Sequence, residues 1–139
     1  MIEIMLVVMI MGVVGALSAG RIHAIIVQQR VARAATSLQS DLESAFAIAA
    51  RNRRPVRISW NSSKMQMGVT DRGGTVFYRR TPLGKDAYGF SASNVTFTNN
   101  PLEIYPNGLA GDTLAIIMSL EGNTRTIVVS RAGMVRINK

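Results

Sequence analysis

The sequence of 139 residues contains no cysteine, a single histidine at position 23, four prolines and few aromatic residues, which make up 6% of the chain. The absence of cysteine excludes disulfide bonds and thiolate metal sites, so the fold must be held together by packing. Acidic residues are also scarce: eight Asp and Glu stand against sixteen Lys and Arg, which gives a formal net charge of +8. This balance favours anionic partners such as nucleic acid, lipid headgroups or acidic proteins.

The polar residues do not form a recognisable catalytic or metal-binding set. His23 has no cysteine or cluster of carboxylates near it in the sequence, and no base is placed to activate the serines. Asp71, Asp86 and Asp112 fall in separate turn-like segments, where aspartate commonly makes local hydrogen bonds. The segments GKDAYG and DRGGT do not match the spacing of a phosphate-binding loop. We therefore expect a protein that is not an enzyme and that binds neither a metal ion nor a cofactor.

A long apolar run opens the chain. Residues 4–20 contain no ionisable side chain, and as a helix they would span about 25 Å, near the lower limit for a bilayer crossing. Apolar side chains surround this helix, as is typical of a surface that faces lipid. We predict a membrane-spanning segment over residues 1–20. The two alternatives are a cleaved secretory signal, which would want a basic start, and a buried helix of a soluble core.

Glu3 stands at the head of this run. A carboxylate at the centre of a membrane costs roughly 2.5 to 3.5 kcal/mol, and less near the interface, so it should have a positive partner. The nearest basic residue is Arg21, about 27 Å further along a helix, which is too far for an ion pair. The partner of Glu3 is therefore expected from another chain or from a chain terminus.

A helical apolar pattern continues after Arg21. No proline occurs before Pro55, so we predict one helix that runs from near the start to about Asn52 and measures roughly 70 to 75 Å. Its amphipathic half, residues 21–54, should pack on a globular domain. The apolar positions of this half recur at intervals of three and four and comprise Ile22, Ile25, Ile26, Val31, Ala35, Leu38, Leu42, Phe46 and Ala49.

Residues 55–139 show the alternation of β-strands. VRISW, KMQMGV and NVTFT place apolar residues at every second position. TLAIIMSL, TIVVS and MVRI, separated by EGNT and SRAG, predict a terminal antiparallel meander with tight turns. The segment TPLGKDAYGFSASN, residues 81–94, is predicted to be an irregular, exposed loop. The sequence thus predicts an α+β fold in which a long N-terminal helix packs on a C-terminal antiparallel sheet or sandwich of six to eight strands.

The opening segment IEIMLVVMIMGVVGAL resembles the N-terminal helix of type IV pilins and type II secretion pseudopilins, and Ile2 and Glu3 match the Ile-Glu of that motif. The resemblance implies that Glu3 pairs with the terminal amine of a neighbouring subunit during filament assembly. It also implies a prepilin peptidase that cuts after a glycine and methylates the new terminus. Because the Gly-Phe-Thr that precedes Ile-Glu in that family is missing here, we expect a short basic leader ending in Gly-Phe-Thr to be encoded upstream.

The order of helix and strands, with IYPNGLAGDTLAIIMSL and TIVVSRAGMVRI near the end, is similar to the GspH/FimT minor pseudopilins. Some FimT-like proteins bind DNA through a Gly-Arg-x-Arg element. Gly133 and Arg136 match its first and last positions, Met134 replaces its first arginine, and Arg131 could compensate from the preceding turn. The resemblance makes Arg131, Gly133 and Arg136 candidate DNA-binding residues.

The resemblance implies a structural subunit of a type II secretion pseudopilus or a type IV pilus. Its expected location is the bacterial inner membrane, crossed once, with the β domain in the periplasm, and then the assembled filament. Expected partners are other pilins or pseudopilins, with secreted cargo as a further candidate. The alternative function is that of a minor pilin that binds duplex DNA during natural transformation. A third alternative is an exported β domain with a cleaved signal.

Overall fold

One helix forms the N-terminal part of the chain in the computed structural model, which describes residues 2–138, with the side chains of residues 16–21 outside the described set. This helix, α1, runs over Ile2–Asn52 and is about 75 Å long. It ends where Arg53 adopts a positive φ of 51°, ahead of Pro55, because a proline disfavours helical backbone at the residue before it. The predicted single helix that ends near Asn52 is confirmed.

The face of α1 that contacts the β domain begins later than the apolar pattern predicts. Ile22, Ile25 and Ile26 are exposed, although the sequence placed them in the packed stripe. The reason is the side of the helix on which they lie: His23, which contacts Glu121 of the β6–β7 turn, and the buried Val27 are one turn apart on the side that faces the β domain, and the three isoleucines point away from that side. The buried residues of the helix are Val27, Val31, Ala34, Ala35, Leu38, Asp41, Leu42, Ala45 and Ala49.

In the described residues after the helix, up to residue 138, eight strands form two antiparallel sheets of four strands each. The first sheet has the order β3-β2-β1-β5 and the second sheet the order β4-β6-β7-β8. A short 3-10 turn at Ala92–Asn94 precedes β4. The strands are β1 Val56–Asn61, β2 Gln66–Asp71, β3 Phe77–Pro82, β4 Val95–Phe97, β5 Leu102–Ile104, β6 Leu114–Leu120, β7 Asn123–Val129 and β8 Val135–Asn138.

The last three strands form the predicted meander. β6 pairs with β7 and β7 pairs with β8, in both cases antiparallel. Glu121 and Gly122 connect β6 to β7 with positive φ values of 47° and 81°, the combination that a two-residue type I′ hairpin turn requires. The predicted α+β architecture, a long helix on an antiparallel β domain, is confirmed.

The core lies between α1 and the inner faces of both sheets. Leu38 and Leu42 of the helix meet Ile58 and Met67 of the first sheet and Ile116 of the second, all of them fully or almost fully buried. Strand β2 buries four consecutive residues, 67–70, whereas β1, β5 and β6 contribute alternate residues to this core, as a half-buried antiparallel sheet requires. The buried pattern of β6, in which Leu114, Ile116 and Met118 point inward, is one example.

The segment from residue 81 to residue 94 differs from the prediction of an exposed loop. Leu83 and Phe90 are both completely buried in the core. Between them the backbone turns back on itself, because the N–H groups of Ala87, Tyr88 and Gly89 all donate to the Gly84 carbonyl oxygen. The irregular backbone was predicted correctly, but the two large apolar side chains anchor this loop.

Asn100 completes the edge of the first sheet where β5 is too short to do so. Its side-chain Oδ1 accepts the backbone N–H of Trp60 at 2.8 Å, and its Nδ2 donates to the Trp60 carbonyl oxygen at 3.0 Å. The amide therefore takes the place of the next residue pair after Ile58 and Leu102 in the β1–β5 ladder. Both edge groups of Trp60 are satisfied in this way.

Candidate functional site

The N-terminal end of α1 presents apolar side chains that the β domain does not cover. All side chains of residues 2–15 are exposed, with Ile2 at 81% and Met5 at 77%. Glu3 is exposed on this same segment, and no ion pair of Glu3 occurs among the described residues. Exposed apolar patches of this extent mark interaction surfaces. We refer to residues 2–15 as the apolar end; the pairing role of Glu3 stays a prediction.

A membrane crossing was predicted over residues 1–20. In the described part of the chain, no helix is both long and apolar enough to cross a bilayer. Residue 1 and the side chains of residues 16–20, on which the prediction also rested, lie outside the described residues.

His23 forms a contact between the helix and the second sheet. Its Nε2 lies 3.0 Å from Oε2 of Glu121, the residue at the β6–β7 turn, and both side chains are largely exposed. An exposed pair of this kind contributes at most about 1 kcal/mol. Nothing in the sequence identified Glu121 as the partner of His23.

The three candidate DNA-binding residues lie in and beside the β7–β8 turn. Arg131 donates from Nη2 to Oδ1 of Asp112 at 3.3 Å. Arg136 lies on the outer face of β8, since its neighbours Val135 and Ile137 face the core. Its Nε donates to Sδ of Met134 at 3.0 Å. Arg131 is thus paired with a carboxylate, and Arg136 lies next to the residue that replaces an arginine of the FimT-like element.

Gly133 has a packing role that the sequence reasoning did not foresee. Its φ is 79°, and a Cβ at this position would lie 2.2 Å from the carbonyl oxygen of Gly108. The turn around Gly133 also contacts the preceding loop through the Ala110 N–H, which donates to the Arg131 carbonyl oxygen at 2.9 Å. The two segments PNGLAG and SRAGM, which carried the C-terminal resemblance, therefore pack directly on each other.

Basic residues also cluster on the outer face of the first sheet. Arg57 and Arg72 both lie near Oε1 of Glu103, at 3.1 Å and 3.5 Å. One carboxylate thus serves two guanidinium groups, which leaves this face with an excess of positive charge. Arg51, Arg53 and Arg54, which the sequence grouped with Arg57, are exposed at the end of α1.

Sequence reasoning missed one buried charged group. Asp41 is almost completely buried on the packed face of α1 and forms an ion pair with Nε of Arg79. The hydroxyl of Thr81 donates to the other carboxylate oxygen of Asp41. The signal was an acid inside the apolar stripe, next to Leu42, but no pattern identified the arginine or the threonine of β3 as its partners.

No metal centre is found in the described part of the chain: no three His, Asp or Glu side chains come together there in an arrangement that could hold a metal ion. Asp71, one of the aspartates considered above, instead caps the β2–β3 turn. Its Oδ1 accepts the N–H groups of Thr75 and Val76 at 2.8 Å and 2.9 Å. The hydrogen bond from Val76 is the largest cause that lowers the pKa of Asp71 below its usual value of 3.8.

The arrangement of one long helix on two four-stranded sheets can be compared with known proteins. A family profile described as type II transport protein GspH matches residues 34–133. This chain belongs to the GspH family. The match covers the packed half of the helix and most of the β domain, and it confirms the expected relation to the GspH/FimT minor pseudopilins. A sequence search against curated proteins gives no match.

Two solved structures share the GspH-like fold. The type IV minor pilin FimU of Pseudomonas aeruginosa aligns with a TM-score of 0.62 at 18% identity, covering 80% of this chain and 90% of FimU. The minor pseudopilin EpsH from the type 2 secretion system of Vibrio cholerae aligns with a TM-score of 0.52 at 11% identity, covering 78% of this chain and 96% of EpsH. At these identities the likeness establishes the fold. Neither protein is described as an enzyme.

Proposed function

We propose that this GspH-family chain is a minor subunit of a filament, either a type II secretion pseudopilus or a type IV pilus. The observation that carries the proposal is the apolar end, residues 2–15, whose side chains are exposed while the rest of the chain buries a continuous core. Burial of apolar surface contributes roughly 25 cal/mol per Å². Packing of this end against the same segment of sibling subunits would bury it along its length.

Glu3 would set the register of this packing. In a filament the N-terminal helices lie side by side in an environment that excludes water, so the carboxylate needs a positive group at its own level. We propose that a neighbouring subunit's terminal amine supplies it. A shift in the register of the helices would leave both charges buried and unpaired. The free-energy cost of this is larger than the net stabilisation that the ion pair itself contributes.

Before assembly, we propose that the apolar end is embedded in the inner membrane and that the β domain lies in the periplasm. A prepilin peptidase would act on the expected upstream leader. The match to the GspH family supports a structural role. Secreted cargo or sibling subunits would then contact the β domain of the assembled filament.

The proposal is tested by filament incorporation of Glu3→Ala and Glu3→Gln. Both variants should fold normally, because Glu3 lies outside the β domain and is exposed. Their incorporation into filaments should drop at least about tenfold, because leaving the partner charge buried and unpaired costs a few kcal/mol. Glu43→Ala is the matched control, since Glu43 is also exposed on α1 and pairs only with Gln39, one turn away. Filaments should be sheared from cells that express the sibling subunits and analysed by immunoblotting.

Normal incorporation of Glu3→Ala would reject the pairing role, and equal losses for Glu3→Ala and Glu43→Ala would indicate a general defect of the helix. Recovery of the wild-type chain only outside the membrane and filament fractions would reject the subunit proposal as a whole.

Duplex DNA binding by Arg131, Gly133 and Arg136 is the second candidate function. It is supported by the exposure of Arg131 and Arg136 beside one turn. Two observations weigh against it: Arg131 is paired with Asp112, and Gly133 is needed where the turn packs on Gly108. A salt titration of duplex DNA binding by the full chain in detergent is the test. Arg131→Gln and Arg136→Gln should each reduce the salt slope by about one if they neutralise phosphates.

A further inference from the structure

A narrow groove on the outer face of the first sheet places two basic side chains beside an exposed aromatic ring. It lies between β1, β2 and β3, has a volume of about 150 Å³, and includes Lys64, Phe77 and Arg80 in its lining. Nothing in the function proposed above uses these residues. They lie on the sheet face that points away from α1. Met67 and Thr81 are a cross-strand pair that faces inward, and the next pair along the strands, Gly68 and Arg80, therefore faces outward.

The aromatic ring and the arginine form a layered platform. The guanidinium carbon of Arg80 lies 3.9 Å from the centroid of the Phe77 ring. The ring lies over Gly68, where a Cβ would be in ordinary van der Waals contact with the ring edge at 3.6 Å. Stacking over an aromatic face holds a guanidinium in place while its N–H donors stay free to bind a ligand. Phe77 is itself 50% exposed.

The cations of this groove lack a carboxylate of their own. Within the described residues, Arg57 and Arg72 share Glu103 on the same sheet face, whereas neither Lys64 nor Arg80 takes part in an ion pair. Asn61, which also lines the groove, accepts the Lys64 backbone N–H through Oδ1 at 2.9 Å. This hydrogen bond orients the Asn61 amide so that its NH₂ is the group left to donate elsewhere.

We propose that this groove binds a carboxylate side chain on the surface of an acidic protein partner. A guanidinium fork matches a carboxylate with two parallel hydrogen bonds, and Lys64 adds a second cation. The groove suits a single side chain, because its volume of about 150 Å³ is below the roughly 300 Å³ at which sites for larger ligands begin. The net charge of +8 makes a second copy of this chain a poor occupant, since like charges repel.

This inference rests on the proposed function, because it names the chemistry of a neighbouring subunit or of cargo that the β domain would contact. The partner is expected to present Asp or Glu in an exposed loop. It is tested with the full chain in a non-ionic detergent and a fluorescent peptide of alternating Glu and Gly, whose binding is followed by anisotropy at several salt concentrations.

Arg80→Gln should weaken peptide binding about tenfold, as expected for the loss of charge-assisted hydrogen bonds. Phe77→Leu should weaken it about threefold, because the platform is lost while the charge remains. Arg33→Gln is the matched control, since it removes the same charge from an exposed position of α1, and its affinity should stay within twofold of the wild type. Circular dichroism and thermal unfolding confirm that each variant is folded.

Several outcomes overturn the proposal: no peptide binding at low salt, equal losses for Arg80→Gln and Arg33→Gln, or a folded Arg80→Gln variant that binds as the wild type does. The proposal is also overturned, in favour of a phosphate ligand, if inorganic phosphate or oligothymidine displaces the labelled peptide at a lower concentration than the unlabelled Glu-Gly peptide does. The Glu3→Ala incorporation assay is independent of this one, so a negative peptide result with normal wild-type incorporation rejects only the groove.

Discussion

The rings of Trp60 and Phe97 are stacked, with their centroids 4.8 Å apart and their planes inclined by 11°. Trp60 belongs to β1 of the first sheet and Phe97 to β4 of the second, so this stack is a direct link between the two sheets. Aromatic pairs of this geometry contribute about 0.5 to 1.5 kcal/mol beyond the area they bury. The link lies away from the apolar end and stabilises the β domain itself.

Phe97→Ala should lower the free energy of unfolding by about 2 to 3 kcal/mol, because it removes both a partly buried ring and the stack on Trp60. Urea unfolding followed by fluorescence measures this directly, since Trp60 is the only tryptophan. Phe77→Ala, which truncates a half-exposed ring, should cost about 1 kcal/mol or less. An equal loss in the two variants would show that the stack has no special contribution.

The ion pair between Asp41 and Arg79 should show strong coupling in a double-mutant cycle. Arg79→Leu removes the ion-pair partner of the buried Asp41 carboxylate and leaves it the hydrogen bond from the Thr81 hydroxyl. We expect the free energy of unfolding to fall by about 2 kcal/mol, which is less than for a fully buried pair because the Arg79 side chain is 52% exposed. Asp41→Leu/Arg79→Leu should cost at least about 1 kcal/mol less than the sum of the single variants. Additive losses would mean that the pair contributes nothing as a pair. Urea unfolding of the four proteins provides the values.

The helix and the terminal meander could be predicted because their signals are local. The absence of proline before Pro55 and the two-residue turn at Glu121 and Gly122 are features of a few neighbouring residues. Burial was predicted less well. Ile25 and Ile26 belong to the apolar pattern but are exposed, because burial depends on which side of α1 the β domain covers. Similarly, Phe90 lies in a loop with polar composition and is nevertheless buried.

The candidate sites depend on contacts between residues distant in sequence, and the sequence alone does not supply these. Asp41 and Arg79 are separated in sequence by the last eleven residues of α1 and by β1 and β2, so their pairing follows only from the fold. Phe77 and Arg80 lie only three residues apart in β3. Their contact nevertheless requires an irregularity in the pairing of β3 with β2, the register shift between Val69 and Thr70. Gly133 was singled out as a candidate DNA-binding residue, which stays a prediction, and nothing in the sequence indicated its contact with Gly108.

Asp71 should make the β2–β3 turn sensitive to acid. Hydrogen bonds from Val76 and Thr75 favour the charged carboxylate and lower its pKa in the folded state. A group whose folded pKa is lowered contributes stability that is complete above the unfolded pKa and is lost as the pH falls through the folded pKa. The unfolding midpoint of the wild type should therefore fall as the pH drops below about 4.

Asp71→Asn should lower the midpoint at neutral pH and remove this part of the acid dependence, because a neutral amide has one acceptor oxygen and does not titrate in this range. Thr75→Val removes only the hydroxyl that donates to Oδ2 at 2.9 Å, so its pH profile should lie between the other two. Thermal unfolding from pH 3 to pH 7 distinguishes them. Parallel profiles for the wild type and Asp71→Asn would contradict the assignment of acid sensitivity to this turn.

Gly133→Ala compared with Gly122→Ala separates backbone strain from a steric clash. Both glycines have φ near 80°, but a Cβ at Gly122 meets nothing within 4 Å, whereas a Cβ at Gly133 would lie 2.2 Å from the Gly108 carbonyl oxygen. Gly122→Ala should therefore cost about 1 kcal/mol from its backbone conformation alone. Gly133→Ala should cost at least about 2 kcal/mol more, since the β7–β8 turn must move away from the loop at Gly108.

The same pair of variants bears on the role of the turn. Because the Ala110 N–H donates to the Arg131 carbonyl oxygen beside Gly133, displacement of the turn should expose that amide, and hydrogen exchange at Ala110 should accelerate in Gly133→Ala but not in Gly122→Ala. If the two variants lose equal stability and the Ala110 amide is still protected from hydrogen exchange in both, the loop at Gly108 moves aside without a cost in free energy. In that case packing would no longer explain why this position is glycine, and contact with a ligand would become the better account.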